Sequence, residues 1–265
     1  MSNGFQFKQF FVRHDKCSMK VGTDGVLIGA WASTHDTHDT PLPPLRGGDT
    51  QQRILDVGTG SGLIALMLAQ RFADAQIDAI DIDEASCLQA RENFNASPWA
   101  ERLHAAHCSL QELSASTFSC HQLPLSKGGG GCPTYDLIVS NPPYFVNSLK
   151  APDAARCAAR HNDTLPFDVL MAESARRLKP NGTLALIVPC EAEDELQTLA
   201  AAHGLHCTRR CMVHPKPGRP AKRVMIAWTN NPAADVTPLT ETLTLEDEHG
   251  GRSLDYQQLT RDFYL

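Results

Sequence analysis

The sequence predicts an α/β domain built on a doubly wound sheet of seven strands, mostly parallel, with an antiparallel last strand. Three observations predict it. Short apolar runs alternate with segments of helical period over most of the chain. A glycine-rich turn, Gly58-Thr59-Gly60-Ser61-Gly62, joins the first such run to the helix that follows it. The last two strand-like runs, 205–213 and 223–229, are joined by a loop too short for a parallel crossover. With 265 residues, 42% hydrophobic and 20% charged, the chain has material for one such core, and residues 1–265 read as a single domain.

Residues 4–32 open with Phe5, Phe7, Phe10 and Phe11 and end in an apolar, helix-like run to Trp31, with Thr23 or Asp24 as its cap. Residues 33–52, rich in Ser, Thr, Asp, Pro and Gly, read as a flexible insertion. His35 and His38 stand three apart there, but a loop lacks the rigid scaffold that a metal ligand set needs. Arg53 to Val57 reads as the first strand of the sheet and Leu63 to Phe72 as a helix. Ile77 to Ile80 is a second strand, ending in Asp81-Ile82-Asp83, and Glu84 to Asn95 a second helix, stopped near Pro98. Leu103 to Cys108 is a third strand. The four glycines Gly128 to Gly131 mark 121–134 as another flexible insertion.

Tyr135 to Ser140 is a buried strand that runs into Asn141-Pro142-Pro143-Tyr144. Residues 147–164 are polar. Leu165 to Leu178 is amphipathic and helical. Pro180-Asn181-Gly182 then turns the chain into the strand Thr183 to Val188. Glu191 to His203 is a helix closed by Gly204, and the two final strands follow.

Composition narrows the class. A net charge of −6 mildly disfavours a protein coated in nucleic acid, so any RNA contact needs a local basic patch. Nine cysteines, an odd number without a Cys-x-x-Cys pair, fit a reducing compartment. No apolar run approaches the ~18 residues of a membrane span, and the N-terminus lacks a signal peptide's pattern. These features predict a cytoplasmic protein with no membrane association.

Glycines at a strand-to-helix turn let backbone approach a ligand and point N–H groups at it. Asp81, about 20 residues on at the end of the next strand, stands where such sheets bind a ribose. A dinucleotide fingerprint would place its third glycine where Leu63 stands. Asp56 just before the turn would repel a pyrophosphate and suits a ligand carrying positive charge. S-adenosylmethionine, with an ammonium, a sulfonium and no phosphate, meets both conditions. Asn141 ends a buried strand, and the two prolines after it fix the backbone carbonyls. An amide oxygen and a carbonyl together accept both hydrogens of an exocyclic amino group, and Tyr144 offers a face for stacking. A plain proline-rich turn is the competing reading.

Asp56 to Gly62 together with Asn141 to Tyr144 resembles the class I S-adenosylmethionine-dependent methyltransferases that modify planar amino nitrogens. Further stretches resemble the bacterial members that methylate N6 of adenine-37 in the anticodon loop of a valine tRNA. They are Phe7 to Val12 with His14-Asp15, Met19 to Gly25, Gly29-Ala30-Trp31, and Ser97 to Arg102. The likeness weakens in 33–52, in 121–134 and in the last 35 residues.

The resemblance implies a Rossmann-like sheet, S-adenosylmethionine as cofactor, a tRNA partner, no metal and no obligate protein partner. It implies that Asp56, Gly58, Gly60 and Gly62 line the cofactor's methionine part and that Asp81 holds its ribose. Lys20, Thr23 and Asp24 would close over it, making 4–32 a covering segment. Ser109 stands where an acid beside the cofactor's adenine is usual. Asn141, Pro142 and Tyr144 would hold the target adenine, with Asn141 also reaching the cofactor. For the RNA, the stretch from Arg209 to Arg223 has six basic residues and no acid: Arg209, Arg210, Lys216, Arg219, Lys222 and Arg223. Lys150, Arg156 and Arg160 would add to that surface. A solvated face is the competing reading of these charges. Other acceptors, guanine N2 of ribosomal RNA or a protein glutamine, remain open, as do a dinucleotide-binding oxidoreductase and a catalytically silent RNA-binding module.

Overall fold

The structure, a computed structural model, describes residues 3–17, 20–34, 51–114, 116–118, 132–143, 165–231 and 237–265. Most of the two expected insertions, and Tyr144, Lys150, Arg156 and Arg160, lie outside the described residues. The chain begins with β1 (Gly4–Gln6), β2 (Phe11–Arg13) and α1 (Thr23–Trp31). It continues through β3 (Arg53–Val57), α2 (Leu63–Arg71), β4 (Gln76–Asp81), α3 (Glu84–Asn95), β5 (Leu103–His107) and β6 (Tyr135–Ser140). Then come α4 (Phe167–Arg177), β7 (Leu178–Pro189), α5 (Glu193–Ala202), β8 (His206–His214), β9 (Arg223–Thr229), β10 (Leu239–Thr244) and α6 (Leu254–Thr260).

The main sheet runs β10-β8-β9-β7-β6-β3-β4-β5. The seven expected strands lie side by side, and β9 is antiparallel to both its neighbours, as its short loop requires. An eighth strand, β10, extends the sheet parallel to β8. It is an edge strand in which Leu243 alone is buried, so its apolar signal in the sequence is weak.

Side chains alternate between two cores. Ile54, Val139, Ile187 and Met225 face α1, α2 and α3, while Leu55, Ile138, Leu186 and Ile226 face Leu170 of α4 and Leu196 of α5. Burial on both faces is why these strands read as continuous apolar runs.

The N-terminal hairpin is sealed by the C-terminal tail. Phe7 stacks on Phe10 and Tyr264 at ring distances of 4.7 and 5.7 Å, and the Lys8 N–H donates to the Phe263 carbonyl at 2.8 Å. Two local expectations are corrected. The N-cap of α1 is Gly22, without a side-chain cap, and Thr23 and Asp24 lie in the first turn. Pro180-Asn181-Gly182 lies within β7, where it skips the register from Tyr135↔Leu178 to Leu137↔Thr183 with Asn181 at φ 64°. Among the described residues no helix is long and apolar enough to cross a membrane.

Candidate active site

The strand order reverses between β3 and β6, which makes this edge the place where a doubly wound sheet opens a crevice. Val57 pairs with Ser140 at the ends of these two strands. The Ser140 hydroxyl donates to the Val57 carbonyl at 2.7 Å. Gly58 and Asn141, the next residues of each strand, therefore leave the sheet side by side. Asn141 is half-buried, Pro142 buried and Pro143 exposed.

The glycine turn has left-handed backbone at Gly58, Gly60 and Gly62, with φ of 73°, 55° and 82°. Its amides differ from the sequence expectation. Gly58 and Thr59 donate to the Ile80 carbonyl at 2.9 and 3.0 Å, Gly60 to Asp81 Oδ2 at 2.8 Å, and Gly62 to the Thr59 carbonyl at 2.9 Å. These four N–H groups satisfy the protein itself and do not point at a ligand. Positions 58 and 60 are open, with no heavy atom within 4 Å of where a Cβ would sit. Position 62 is closed, since a Cβ there would lie 2.5 Å from the Phe94 ring. Gly62 is thus required by packing against Phe94.

Asp56 is fully buried beneath this turn. Its Oδ2 accepts from Thr59 Oγ1 at 2.7 Å and the Ala65 N–H at 3.2 Å, while Oδ1 has no partner. Burial pushes its carboxyl up to about 7, against the lowering effect of those two donors. Asp56 is fully buried in this conformation and holds the turn from below. Asp81 is half-buried and lies at the surface of the crevice. It accepts from Gly60 N–H and, on Oδ1 at 2.9 Å, from Asp83 N–H, leaving lone pairs on both oxygens. Burial also raises its carboxyl. Asp83 is occupied as the N-cap of α3, bonded to Ser86.

Ser109, the expected adenine contact, is engaged elsewhere. Its N–H and hydroxyl donate to Glu112 Oε2 at 3.2 and 2.8 Å, and its hydroxyl accepts from the Glu112 N–H at 3.3 Å. This reciprocal arrangement has capping-box chemistry. It leaves an exposed carboxylate at the end of β5, held below its usual range chiefly by the Ser109 hydroxyl. The fully buried Arg177 donates to the Leu110 and Leu113 carbonyls at 2.7 and 3.0 Å and fixes the turn. Ile82, next to Asp81 in the chain, is a half-exposed apolar side chain.

The N-terminal segment comes close to Asp81 and Asp83. The thiol of Cys17 is pushed up by burial and by the nearby carboxylates of Asp15, Asp81 and Asp83. Lys20 is exposed and Thr23 half-buried. Asp24 accepts from Arg223 Nε at 2.9 Å, so these residues, expected on cofactor and RNA respectively, are bound to each other. Arg209 and Arg210 are likewise paired within the protein. Arg209 is forked onto Glu241 at 2.7 and 3.2 Å and lies over the Trp31 ring at 4.3 Å. Arg210 donates to Glu193 at 3.0 Å. Lys216 pairs with Glu246 at the surface. Arg219 and Lys222 are exposed on the β8–β9 hairpin, at the crevice edge of the sheet.

Comparison with known proteins bears on this geometry. The sequence model of the Methyltransferase small domain matches residues 42–201. A tRNA1(Val) (adenine(37)-N6)-methyltransferase of Parabacteroides distasonis is 46% identical over 261 residues, covering 98% of this chain and 97% of that protein. Proteins of the same name from Bacteroides thetaiotaomicron and Serratia proteamaculans are 44% and 41% identical, covering 98% and 99% of this chain and 97% and 90% of their own. The chain belongs to the tRNA1(Val) (adenine(37)-N6)-methyltransferase family. A predicted O-methyltransferase of Agrobacterium tumefaciens shares the fold, with a TM-score of 0.59 at 16% identity over 91% of this chain and 96% of that one.

As a member of the tRNA1(Val) (adenine(37)-N6)-methyltransferase family, the chain has features that sequence reasoning passed over. Glu112 was signalled by Ser109-Leu110-Gln111-Glu112, a capping-box spacing. Arg177 carried no signal, because a basic residue at a helix end reads as solvated. The partners of Arg209, Arg210 and Arg223 lie in distant elements and leave no local trace.

Proposed function

We propose that the chain transfers a methyl group from S-adenosylmethionine to N6 of adenine-37 in a tRNA, and that the valine isoacceptor is its substrate. The observation that carries this reading is the side-by-side exit of Gly58 and Asn141 from β3 and β6, fixed by the Ser140–Val57 hydrogen bond.

The residues present fit this cofactor. The turn spends four of its amides internally, which suits a ligand without phosphate and disfavours a dinucleotide. Gly58 and Gly60 leave open backbone for the methionine part. Asp81 keeps acceptors for ribose hydroxyls. Asp56 places a carboxyl with one uncompensated oxygen beneath the site, favouring a cation above it. Glu112 brings an acid to the adenine end. S-adenosylmethionine, when bound, supplies an electrophilic methyl carbon whose leaving group is a neutral thioether.

The protein's own work is positioning. The Asn141 side-chain oxygen and the Pro142 carbonyl accept from the two N6 hydrogens, hold the nitrogen in line with the methyl carbon and favour a tetrahedral nitrogen. Tyr144, the last residue of the motif, is proposed to stack on the base. Placement of this kind carries most of the rate; the nitrogen becomes cationic and acidic as the N–C bond forms and the S–C bond breaks, and it gives its extra proton to water, so a strong general base is not needed. A base in an anticodon loop is not held in a duplex, so its extrusion costs less than it would from one. Arg219 and Lys222 are proposed to bind the tRNA backbone, joined by Lys216 after release from Glu246. Such a reaction belongs in the cytoplasm, where tRNA is processed.

Incubation with methyl-labelled cofactor and unmodified tRNA, followed by digestion to nucleosides, tests the reading. Labelled N6-methyladenosine is expected. Label in methylguanosine, or in protein glutamine, would overturn it.

A further inference from the structure

Asp24 and Arg223 are 199 residues apart in sequence, and each is attached to a different half of the proposed machinery. Asp24 lies in the first turn of α1, beside Gly25, whose would-be Cβ is 3.1 Å from Leu63. Leu63 is the first residue of α2, directly after the glycine turn. The start of α1 therefore rests on the end of the cofactor turn. Arg223 is the first residue of β9 and pairs with Pro189 at the end of β7. It follows Lys222, whose N–H donates to the Val213 carbonyl at 3.0 Å and whose carbonyl accepts from the Cys190 N–H at 3.4 Å. Backbone bonds thus tie Arg223 to the hairpin that carries Arg219 and Lys222.

Both side chains of the pair are about one-third exposed, at 28% and 33%. A pair so placed does little for folding. It does provide a mechanical link between the segment over the cofactor and the hairpin facing the RNA.

We propose that the Asp24–Arg223 ion pair couples cofactor binding to tRNA binding, an inference that rests on the function proposed above. Cofactor against the glycine turn bears on α1 through the packing of Leu63 on Gly25 and so fixes the position of Asp24. Asp24 in turn holds Arg223, and through it the hairpin, in the geometry that meets the tRNA backbone. By linkage, tRNA tightens the cofactor by the same factor. Asp24 and Arg223 are positioning residues in this scheme, and neither need touch the reacting atoms.

The test is tRNA affinity with and without saturating S-adenosylhomocysteine. It is measured for wild type, Asp24→Asn, Arg223→Gln, and the swap of Asp24→Arg with Arg223→Asp. The readout is the ratio of the two affinities, from which any direct loss of a charge contact cancels. Wild type should tighten on tRNA by about two- to fivefold when the product is bound, the range open to a partly exposed pair. Each single variant should bring the ratio to one, and the swap should restore part of it. A merely structural pair would lower thermal stability and leave the ratio unchanged. Single variants that keep the wild-type ratio, or a wild-type ratio of one, overturn the coupling while leaving the proposed reaction intact. A wild type that binds neither ligand overturns the functional reading itself. Should the swap fail to fold, the two single variants decide.

Discussion

The Ser140 hydroxyl donates to the main-chain carbonyl of Val57 at 2.7 Å, tying the end of β6 to the end of β3. Each strand carries one of the two motifs on which the proposed chemistry depends. The bond holds the proposed acceptor rim and the proposed cofactor turn in one fixed relation.

Asn141→Ala should therefore abolish transfer while leaving cofactor affinity almost unchanged. Loss of a preorganised acceptor at the reacting nitrogen costs on the order of 10²-fold or more in turnover. Single-turnover methylation and calorimetric titration, run on the same preparation, check it. Turnover within a few-fold of wild type would remove Asn141 from the mechanism.

Cofactor affinity should rise with pH and level off above about 7. Asp56 in the free protein titrates at about 7 because burial disfavours its charge. A cationic ligand above it favours the carboxylate, so the bound form has a lower value and binding releases a proton between the two. Affinity then grows with pH across that interval, by up to about tenfold per unit for one linked proton. Asp56→Asn should flatten this profile. A flat wild-type profile from pH 5 to 8 would contradict the placement of the cation near Asp56.

Gly60 and Gly62 should respond differently to alanine. At position 62 the added methyl meets the Phe94 ring on top of an unfavourable φ of 82°, so Gly62→Ala should lose roughly 2 kcal/mol of stability or more. At position 60 the methyl meets nothing in the protein, so only the left-handed φ of 55° costs stability, and Gly60→Ala should lower the thermal midpoint less than Gly62→Ala while weakening cofactor binding. Thermal unfolding paired with titration separates the two. Equal effects on both quantities at both sites would mean that the turn acts as one structural unit.

Arg219→Glu combined with Lys222→Glu should weaken tRNA binding and flatten its dependence on salt, with cofactor affinity unaltered. Phosphate contacts supply affinity, and each one steepens the salt slope. Binding measured at several salt concentrations is the check, and an unchanged slope would place the RNA elsewhere.

The fold was legible in the sequence because its strands are buried on both faces and its turns carry glycine. Val57 and Ser140 could be placed at strand ends from the apolar runs that precede them. The edge strand β10 was not so legible, since five of its six residues are not buried. Within the site, open and packed glycines look alike in sequence: Gly58 and Gly62 differ only in what stands opposite them. Asp56 announced a site through its charge, yet its full burial depends on the path of a whole turn. The charge run from Arg209 to Arg223 showed where basic residues concentrate. Which of them were already paired depended on Asp24, Glu193 and Glu241, on elements brought near by the sheet.

The most direct measurement compares two transcripts of the valine tRNA, one with adenine at position 37 and one with guanine there. Each is incubated with the protein and methyl-labelled S-adenosylmethionine, then mapped nucleotide by nucleotide. The account predicts label on the first transcript alone, at position 37, as N6-methyladenosine. Equal labelling of both transcripts, or label at any other nucleotide, would contradict it.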